Sequence, residues 1–533
     1  MLAEEGFVHF NFFNKLYNQK LMKQYVLIIC SVLFISMNSQ ASNLIISGTP
    51  VFSTANNTLT FNITWQNSWF ITLGPANYDG VWIFVKRQAC STTNIWSHAL
   101  LSTASGDHSV SSTGTNLLTV DAVTDGMGVF VHRSSIAGAG TGDIGTHTVT
   151  IKLSGTNNPT IATTNLDNFK IYGAEVVYVP QGNFFLGDGR TVNTNNFSAG
   201  TASTPVLINS AVQAAGLGVF SNYTSSGSLG CQLPLPASFP LGYNGFYCMK
   251  YEISAGAYTD FLNSLTYDQQ SGRMSVWGVS RIPNKVNSYF DNGSGNFSQT
   301  YILTPGTYNT IPAIFTTISI NKPQCSLTWQ DLTAYLDWSG FRPMTEFEFE
   351  KACRGTLAAI PYEYPWGSTT LTLVNNWVNA NNSTSEGPTP GGEGYCNYSW
   401  VVGLRCGSFA NAFTNRSQAG ATYYGILEMA GNVNEQCVGG GSSFDYSSFT
   451  TVNGDGLVST TGYANTVGWP VNGGNNSGTI LRGGSVYSGS RANSDGYEMQ
   501  VSDRRNINGT NYNNYNSNTT KGNEMGGRGV RSY

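Results

Sequence analysis

Ser326–Gly355 reads SLTWQDLTAYLDWSGFRPMTEFEFEKACRG, and its periodicity separates helix from strand for the larger part of this chain. Trp329, Leu332, Tyr335 and Leu336 recur at the spacing of one helical face, and the run stops at Gly340, a residue suited to the left-handed turn that ends helices. Thr345 and Glu348 stand three apart at the head of the next run, where each side chain can accept from the other's backbone N–H; that run closes at Gly355. Upstream, Ser254–Leu265 gives a third helix, with Ser254 as cap and Tyr258, Phe261, Leu262 and Leu265 on one face. The aromatic stripes of these helices read as core. Long loops rich in Gly, Asn and Ser join them, so the region from Val179 onward is mixed α+β.

The preceding stretch has another rhythm. In Thr58–Trp65 (TLTFNITW), Leu59, Phe61, Ile63 and Trp65 alternate onto one face; VWIFVKR, HTVTIKL and FKIYGAEVVYV are similar runs separated by Gly, Asn, Asp and Ser. Short alternating strands between turn residues predict an all-β sandwich over residues 43–173. A seam is expected at Ala174–Val179, with the second domain occupying 176–533.

The chain has 533 residues, enough for two or three domains, with 61 glycines, 13% aromatic and only 11% charged residues. An ordinary soluble domain carries roughly 25% charged residues. The apolar share of 40% still supports packed cores, so Asn, Ser, Thr, Gly and Tyr must supply the polar surface. A formal charge of -4 offers no basic field, which excludes nucleic acid as an expected partner. From Met22 the sequence MKQYVLIICSVLFISMNSQA has the charged start, apolar run (Tyr25–Ile35) and small-residue exit (Ser39–Ala41) of a secretory leader over 22–42. Residues 1–21 then read as a non-native extension. No later run reaches the ~18 apolar residues of a membrane span, so an exported protein without a transmembrane segment is expected, either secreted or held in the periplasm or at the cell surface.

Without Cys30 in the leader, the cysteines are Cys90, Cys231, Cys248, Cys325, Cys353, Cys396, Cys406 and Cys437. In an oxidising compartment an even set predicts disulfides, with Cys396 and Cys406 the closest pair. Cys90 stands alone in the first domain, either free or bridging to the second. His98, His108, His132 and His147 share no metal-ligand spacing and are expected at surface or loop positions.

Taken in order, several motifs resemble the formylglycine-generating enzyme (sulfatase-modifying factor) family. These are VPQGNFFLGDG (Val179–Gly189), YCMKYEISAGAYTDFLNSL (Tyr247–Leu265), the opening Ser326–Gly355 stretch, YPWGS, CGSFANAF, YYGILEMAGNVNE (Tyr423–Glu435), LRGGS (Leu481–Ser485) and GGRGVR (Gly526–Arg531). The resemblance covers the chain from Val179 to its end. It implies an irregular, C-type-lectin-like α+β fold for that part.

The family binds copper through two cysteines after its Gly-Gly-Ser motif and oxidises a substrate cysteine. Laid on Gly483–Ser485, the motif puts Ser488 and Asn493 at those positions, and no cysteine follows Cys437. A hydroxyl and an amide do not replace thiolates as ligands of a soft Cu(I) ion, so copper and its chemistry are expected to be absent. From Ala174 onward there is also no histidine, which removes a Ser-His-Asp triad and histidine metal sites.

Calcium is the cation the resemblance implies, held by oxygen donors. One set comprises Asn381, the Asn382 carbonyl, Glu393 and the Tyr395 carbonyl; the other comprises Glu428, the Gly431 and Val433 carbonyls, and Glu435. Glu393 and Glu428 each carry one methylene more than the residue usual there. The alternative is that these acids cap loops.

Three functions follow. The leading one is a non-catalytic exported binding or structural protein, set by resemblance in an envelope, secretion or gliding assembly. A second is a family oxidoreductase working through Arg482, Ser485 and Arg491 near the groove. A third is a lectin-like receptor for a protein or glycan ligand, using the Asn- and Tyr-rich face of Val501–Tyr533.

Overall fold

The structure is a computed structural model that describes residues 44–532, apart from 90–94, 112–116, 135–141, 156–166, 192–195, 199–203, 212–238, 274–300, 305–311, 318–319, 374–376, 379–386, 389–393, 397–402, 411–414, 440–448, 472–477, 487–495 and 505–523. The expected leader at 22–42, Cys90 and Cys231 lie outside the described residues.

The first part is all strand: β1 (Ile45–Ser53), β2 (Thr58–Thr64), β3 (Asp79–Ala89), β4 (Trp96–Ala99), β5 (Ser109–Val110), β6 (Leu118–Ala122), β7 (Val129–Arg133), β8 (His147–Lys152) and β9 (Asp167–Val179). A hairpin of β10 (Phe184–Leu186) and β11 (Val206–Ile208) follows, then β12 (Phe246–Met249), α1 (Ala255–Leu262) and α2 (Tyr267–Arg273). Next come β13 (Tyr301–Thr304), β14 (Ile314–Thr317), α3 (Trp329–Ser339), β15 (Arg342–Pro343) and α4 (Glu346–Arg354). The rest is loop with short strands: β16 (Thr372–Leu373), β17 (Trp377–Val378), β18 (Gly387–Pro388), β19 (Tyr395–Cys396), β20 (Asn434–Val438), β21 (Thr479–Arg482), β22 (Met525–Gly526) and β23 (Gly529–Ser532).

Two sheets organise the strands. A four-stranded sheet has the order β1-β2-β8-β5, and an eight-stranded sheet runs β15-β23-β12-β9-β3-β7-β6 with β4 on β3. Successive side chains of a strand point to opposite faces. The predicted face of β2 (Leu59, Phe61, Ile63, with Trp65 beyond) therefore packs with Val81, Ile83 and Val85 of β3 in one core between the sheets. The alternate residues of β3, Trp82 and Phe84, join a second core on the other face with Phe261 and Leu262 of α1 and Leu332, Leu336 and Trp338 of α3.

Strand β9 joins the two regions. It pairs with β3 from Asp79↔Val177 to Ala89↔Asp167, and its end, Val176–Val179, pairs with β12 on the other side. The expected seam at Ala174–Val179 thus falls inside one strand of one sheet, and the core around Trp82 draws on residues from both sides of it.

The three helices read from sequence are present. Ser254 accepts from the Ala257 N–H, and Thr345 and Glu348 close the capping box of α4. A further capping box, Thr328 with Asp331, opens α3, and Gly340 ends it at φ 76°.

Two expectations are corrected. The described cysteines Cys248, Cys325, Cys353, Cys406 and Cys437 are buried free thiols, so Cys406 is not bridged to Cys396. Each packs as a small apolar group inside a core cluster. The histidine expectation holds only in part: His108 lies in a loop and His98 is half-buried, but His108, His132 and His147 are buried, and all four satisfy their ring nitrogens within the fold. Backbone carbonyls, the Lys152 N–H, the Lys86 ammonium and the Asp121 carboxylate replace water around them.

His98 shares in a buried contact between the two regions. Its Nε2 donates to the Met127 carbonyl at 2.8 Å, which leaves Nδ1 to accept from the Lys86 ammonium at 3.1 Å. Lys86 also donates to the carbonyls of Trp338 (2.7 Å) and Gly456 (2.5 Å). Burial, then Lys86, and further off Arg531 hold the His98 pKa well below its ordinary value, while Asp337 and Asp455 face Lys86.

Two outcomes are expected. Trp82→Ala removes a fully buried ring whose Nε1 donates to the Ser339 carbonyl, and should cost about 3–5 kcal/mol. Chemical denaturation should then show both regions lost in one shifted transition. His98 folds neutral with a pKa below its unfolded value, so its contribution is full above about pH 6.5 and is lost as pH falls below that. His98→Gln should therefore flatten the acid side of the stability profile by up to about 1.4 kcal/mol per pH unit, measured by urea denaturation between pH 7.5 and 5.5.

Candidate functional site

Tyr423–Glu435 leads into β20 through four left-handed residues: Gly425 (φ 87°), Glu428 (φ 51°), Gly431 (φ 80°) and Asn432 (φ 61°). For Glu428 and Asn432 this backbone is uncommon and must be held by its surroundings. Glu252, just after β12, is one such hold. Its Oε1 accepts from the Val433 N–H at 3.0 Å and its Oε2 from the Asn432 amide at 2.8 Å. Asn432 Oδ1 in turn accepts from the Leu404 N–H, and the Gly431 N–H donates to the Gly483 carbonyl at 2.8 Å. Arg528 closes the far side: Nη2 donates to the Glu428 carbonyl and to Glu435 Oε1, both at 2.8 Å.

These contacts leave two carboxylate oxygens over. Glu428 Oε1 accepts from the Gly407 N–H at 2.6 Å, and Glu435 Oε1 is taken by Arg528. Glu428 Oε2 and Glu435 Oε2 are buried and accept nothing. An unsatisfied buried carboxylate oxygen is costly, and a hard cation is a partner that removes the cost. Burial pushes both carboxyls up to about 7 against the pull of Arg528. Burial, Glu435 and Glu428 together hold Glu252 well above the carboxylate range. Glycine at 483 keeps the space open, since a Cβ there would lie 2.6 Å from Glu435 Oε2 and 2.8 Å from the Met429 carbonyl.

The predicted set Glu428, Gly431, Val433 and Glu435 is thus gathered on one turn and the strand after it. Its chemistry is two carboxylates plus backbone carbonyls; among the described residues no group of three His, Cys, Asp or Glu side chains forms a metal cluster. Of the other predicted set, Asn381, Asn382 and Glu393 lie outside the described residues, and Tyr395 is placed only as a residue of β19 paired with Thr372.

Arg482 and Ser485, expected near a groove, are both buried. Arg482 sits opposite Glu435 in the β20–β21 ladder and donates to Glu346 (3.0 Å), Glu350 (2.9 Å) and the Val501 carbonyl (2.6 Å). Glu346 and Glu350 are one turn apart on α4 and also receive Arg504 and Arg354. Ser485 Oγ donates to Glu524 at 2.8 Å. Arg482 therefore ties β21 to α4, and Ser485 ties the segment after β21 to the one before β22. Ser488, Arg491 and Asn493 lie outside the described residues. The described thiols are far from thiolate form: burial raises Cys248 to about 12 and Cys325 to about 11, and holds Cys353, Cys406 and Cys437 well up.

Sequence reasoning missed Glu252 and Arg528 as the supports of this turn. Each stands within a quoted motif, YCMKYEIS and GGRGVR, but nothing in their spacing puts them beside residues 428–435.

A family model for the sulfatase-modifying factor enzyme 1-like domain matches residues 168–532, beginning inside β9. Over 117 residues the chain is 32% identical to a formylglycine-generating enzyme of Thermomonospora curvata, a match that spans 22% of this chain and 33% of that relative. The chain thus spans about a third of the length of the curated relative it matches.

The two glutamates set a pH-dependent expectation. Their folded pKa values lie above the unfolded ones, so without a cation the stability they contribute is present at low pH and lost as pH rises toward about 7. A calcium ion held by the two carboxylates would compete with those protons. Chelated protein should lose stability between pH 5.5 and 8, and calcium at a hundredfold its Kd should restore about 2.7 kcal/mol at pH 8 but little at pH 5.5, read by thermal denaturation. Glu435→Gln should abolish the calcium response.

Proposed function

The chain belongs to the sulfatase-modifying factor family, and we propose that it is a member without the cysteine oxidation chemistry: an exported binding or structural protein whose family domain is stabilised by calcium. The observation that carries this is the placement of sulfur. Copper chemistry in the family needs two thiolates converging on one soft ion. No cysteine follows Cys437 in the sequence, and the described cysteines are thiols within apolar cores. Ser488 and Asn493 stand at the family's cysteine positions.

Glu428 and Glu435 would hold the calcium ion with the Gly431 and Val433 carbonyls. A bound cation supplies charge that fixes the turn, and the rest falls to the chain. Glu252 and Arg528 orient the turn, and the Gly431 hydrogen bond to Gly483 ties it to β21. The family part takes the C-type-lectin-like fold, and two sheets sharing one core support a sandwich for the part before it. The leader at 22–42 sends the protein out of the cytoplasm. Its partner, a protein or glycan within an envelope assembly, meets the Asn- and Tyr-rich C-terminal face.

The similarity to a formylglycine-generating enzyme favours a second reading, an oxidoreductase acting on a protein cysteine. One experiment separates the two. The mature protein is incubated with a Cys-x-Pro-x-Arg peptide, calcium, copper and oxygen, and the peptide is weighed by mass spectrometry. An unchanged peptide alongside folded protein is expected. Conversion of its thiol to an aldehyde would establish the oxidoreductase instead.

A further inference from the structure

A cavity of about 660 Å³ opens between β9, α1 and β14. Small residues make the room: Gly173 and Ala174 of β9 and Gly256 and Ala257 in the first turn of α1 line it. Tyr335 of α3, Tyr251 and Phe315 give it aromatic surface. Its size is that of a small-molecule or side-chain pocket.

Most polar groups that line it are already used. Glu175 is ion-paired with Lys250 at 3.1 Å, and Glu252 holds the 432–433 backbone. Thr259 Oγ1 donates back to the Ala255 carbonyl, and Asn263 is bonded on both sides to the Phe315 backbone. Tyr335 and Asp260 are not. Tyr335 is only 4% exposed, its ring fixed among Tyr258, Phe261 and Trp338, yet its hydroxyl meets no hydrogen-bond partner among the described residues. Asp260, solvent-exposed at the rim on α1, makes no hydrogen bond and no ion pair among the described residues. The two lie close enough that the Asp260 charge raises the Tyr335 pKa further, on top of burial.

Among the described residues the lining holds Glu175, Glu252 and Asp260 and no Lys, Arg or His. The nearest cation felt by Asp260 is Lys170, which lies over the Trp96 ring at 4.6 Å instead. We propose that this cavity binds a ligand carrying an ammonium or guanidinium group on an apolar stem, with Asp260 and the Tyr335 hydroxyl as its polar contacts. A cation neutralises Asp260, donates to both oxygens and meets the aromatic faces favourably, while its stem lies along Gly173 and Ala174.

The test compares N-acetyl-lysine methylamide with its neutral counterpart N-acetyl-norleucine methylamide on the full mature chain, by calorimetric titration. The lysine probe should bind about tenfold tighter, and Asp260→Asn should erase the difference. Tyr335→Phe, which keeps the ring, should weaken the lysine probe several-fold with an unchanged circular dichroism spectrum. Equal affinity of the two probes, no saturable binding of the lysine probe, or undiminished preference in Asp260→Asn would overturn the proposal. So would binding of a neutral oligosaccharide that displaces the lysine probe and survives Asp260→Asn.

Discussion

Strand β9 imposes the constraint from which the rest of the architecture follows. Its backbone is hydrogen-bonded along β3 on one side and to β12 on the other, so the N-terminal strands and the family domain share one sheet. Alternation along β3 then forces two cores at once: Val81, Ile83 and Val85 toward the four-stranded sheet, Trp82 and Phe84 toward the helices. A residue on either face is buried by elements from far apart in the chain. Arg531, in the last strand, stacks 4.2 Å from Trp82 and donates to the Gly340 carbonyl and to Asp125 between β6 and β7.

The low charge content takes on a different meaning once the structure is known. Much of the little charge present is inside. Arg190, Arg342, Arg354, Arg482 and Arg528 are buried, and each meets a carboxylate. Breaking such pairs typically costs about 3–5 kcal/mol because the partner is left charged in a poor solvent. These pairs specify where the irregular loops lie, in a domain with few helices and short strands to do so. The outer surface is left to Asn, Ser, Thr and Tyr.

The same logic explains the glutamate turn. Its backbone is held by Glu252 and Arg528 from distant motifs, Arg528 also pairs with Glu435, and the turn has no helix or long strand of its own. Two buried oxygens without partners are the residue of that arrangement. They are what a divalent cation would satisfy, and they explain why Gly483 carries no side chain.

By itself the sequence determined what is local. Helical periodicity in Trp329–Leu336 and the Thr345–Glu348 box fixed α3 and α4, and alternation in TLTFNITW fixed the buried face of β2, because side-chain spacing along one element depends only on its own geometry. The order of motifs gave the family, and the missing cysteines after Cys437 were plain to read. Tertiary structure decided what depends on chain segments meeting. It turned Arg482 and Ser485 inward, left Cys406 a thiol and buried the histidines against carbonyls. It also ran β9 through the expected seam and set Asp260 beside Tyr335 over an open cavity. Each of these is a contact between residues tens to hundreds of positions apart, and no periodicity in sequence encodes which distant partner a side chain will face.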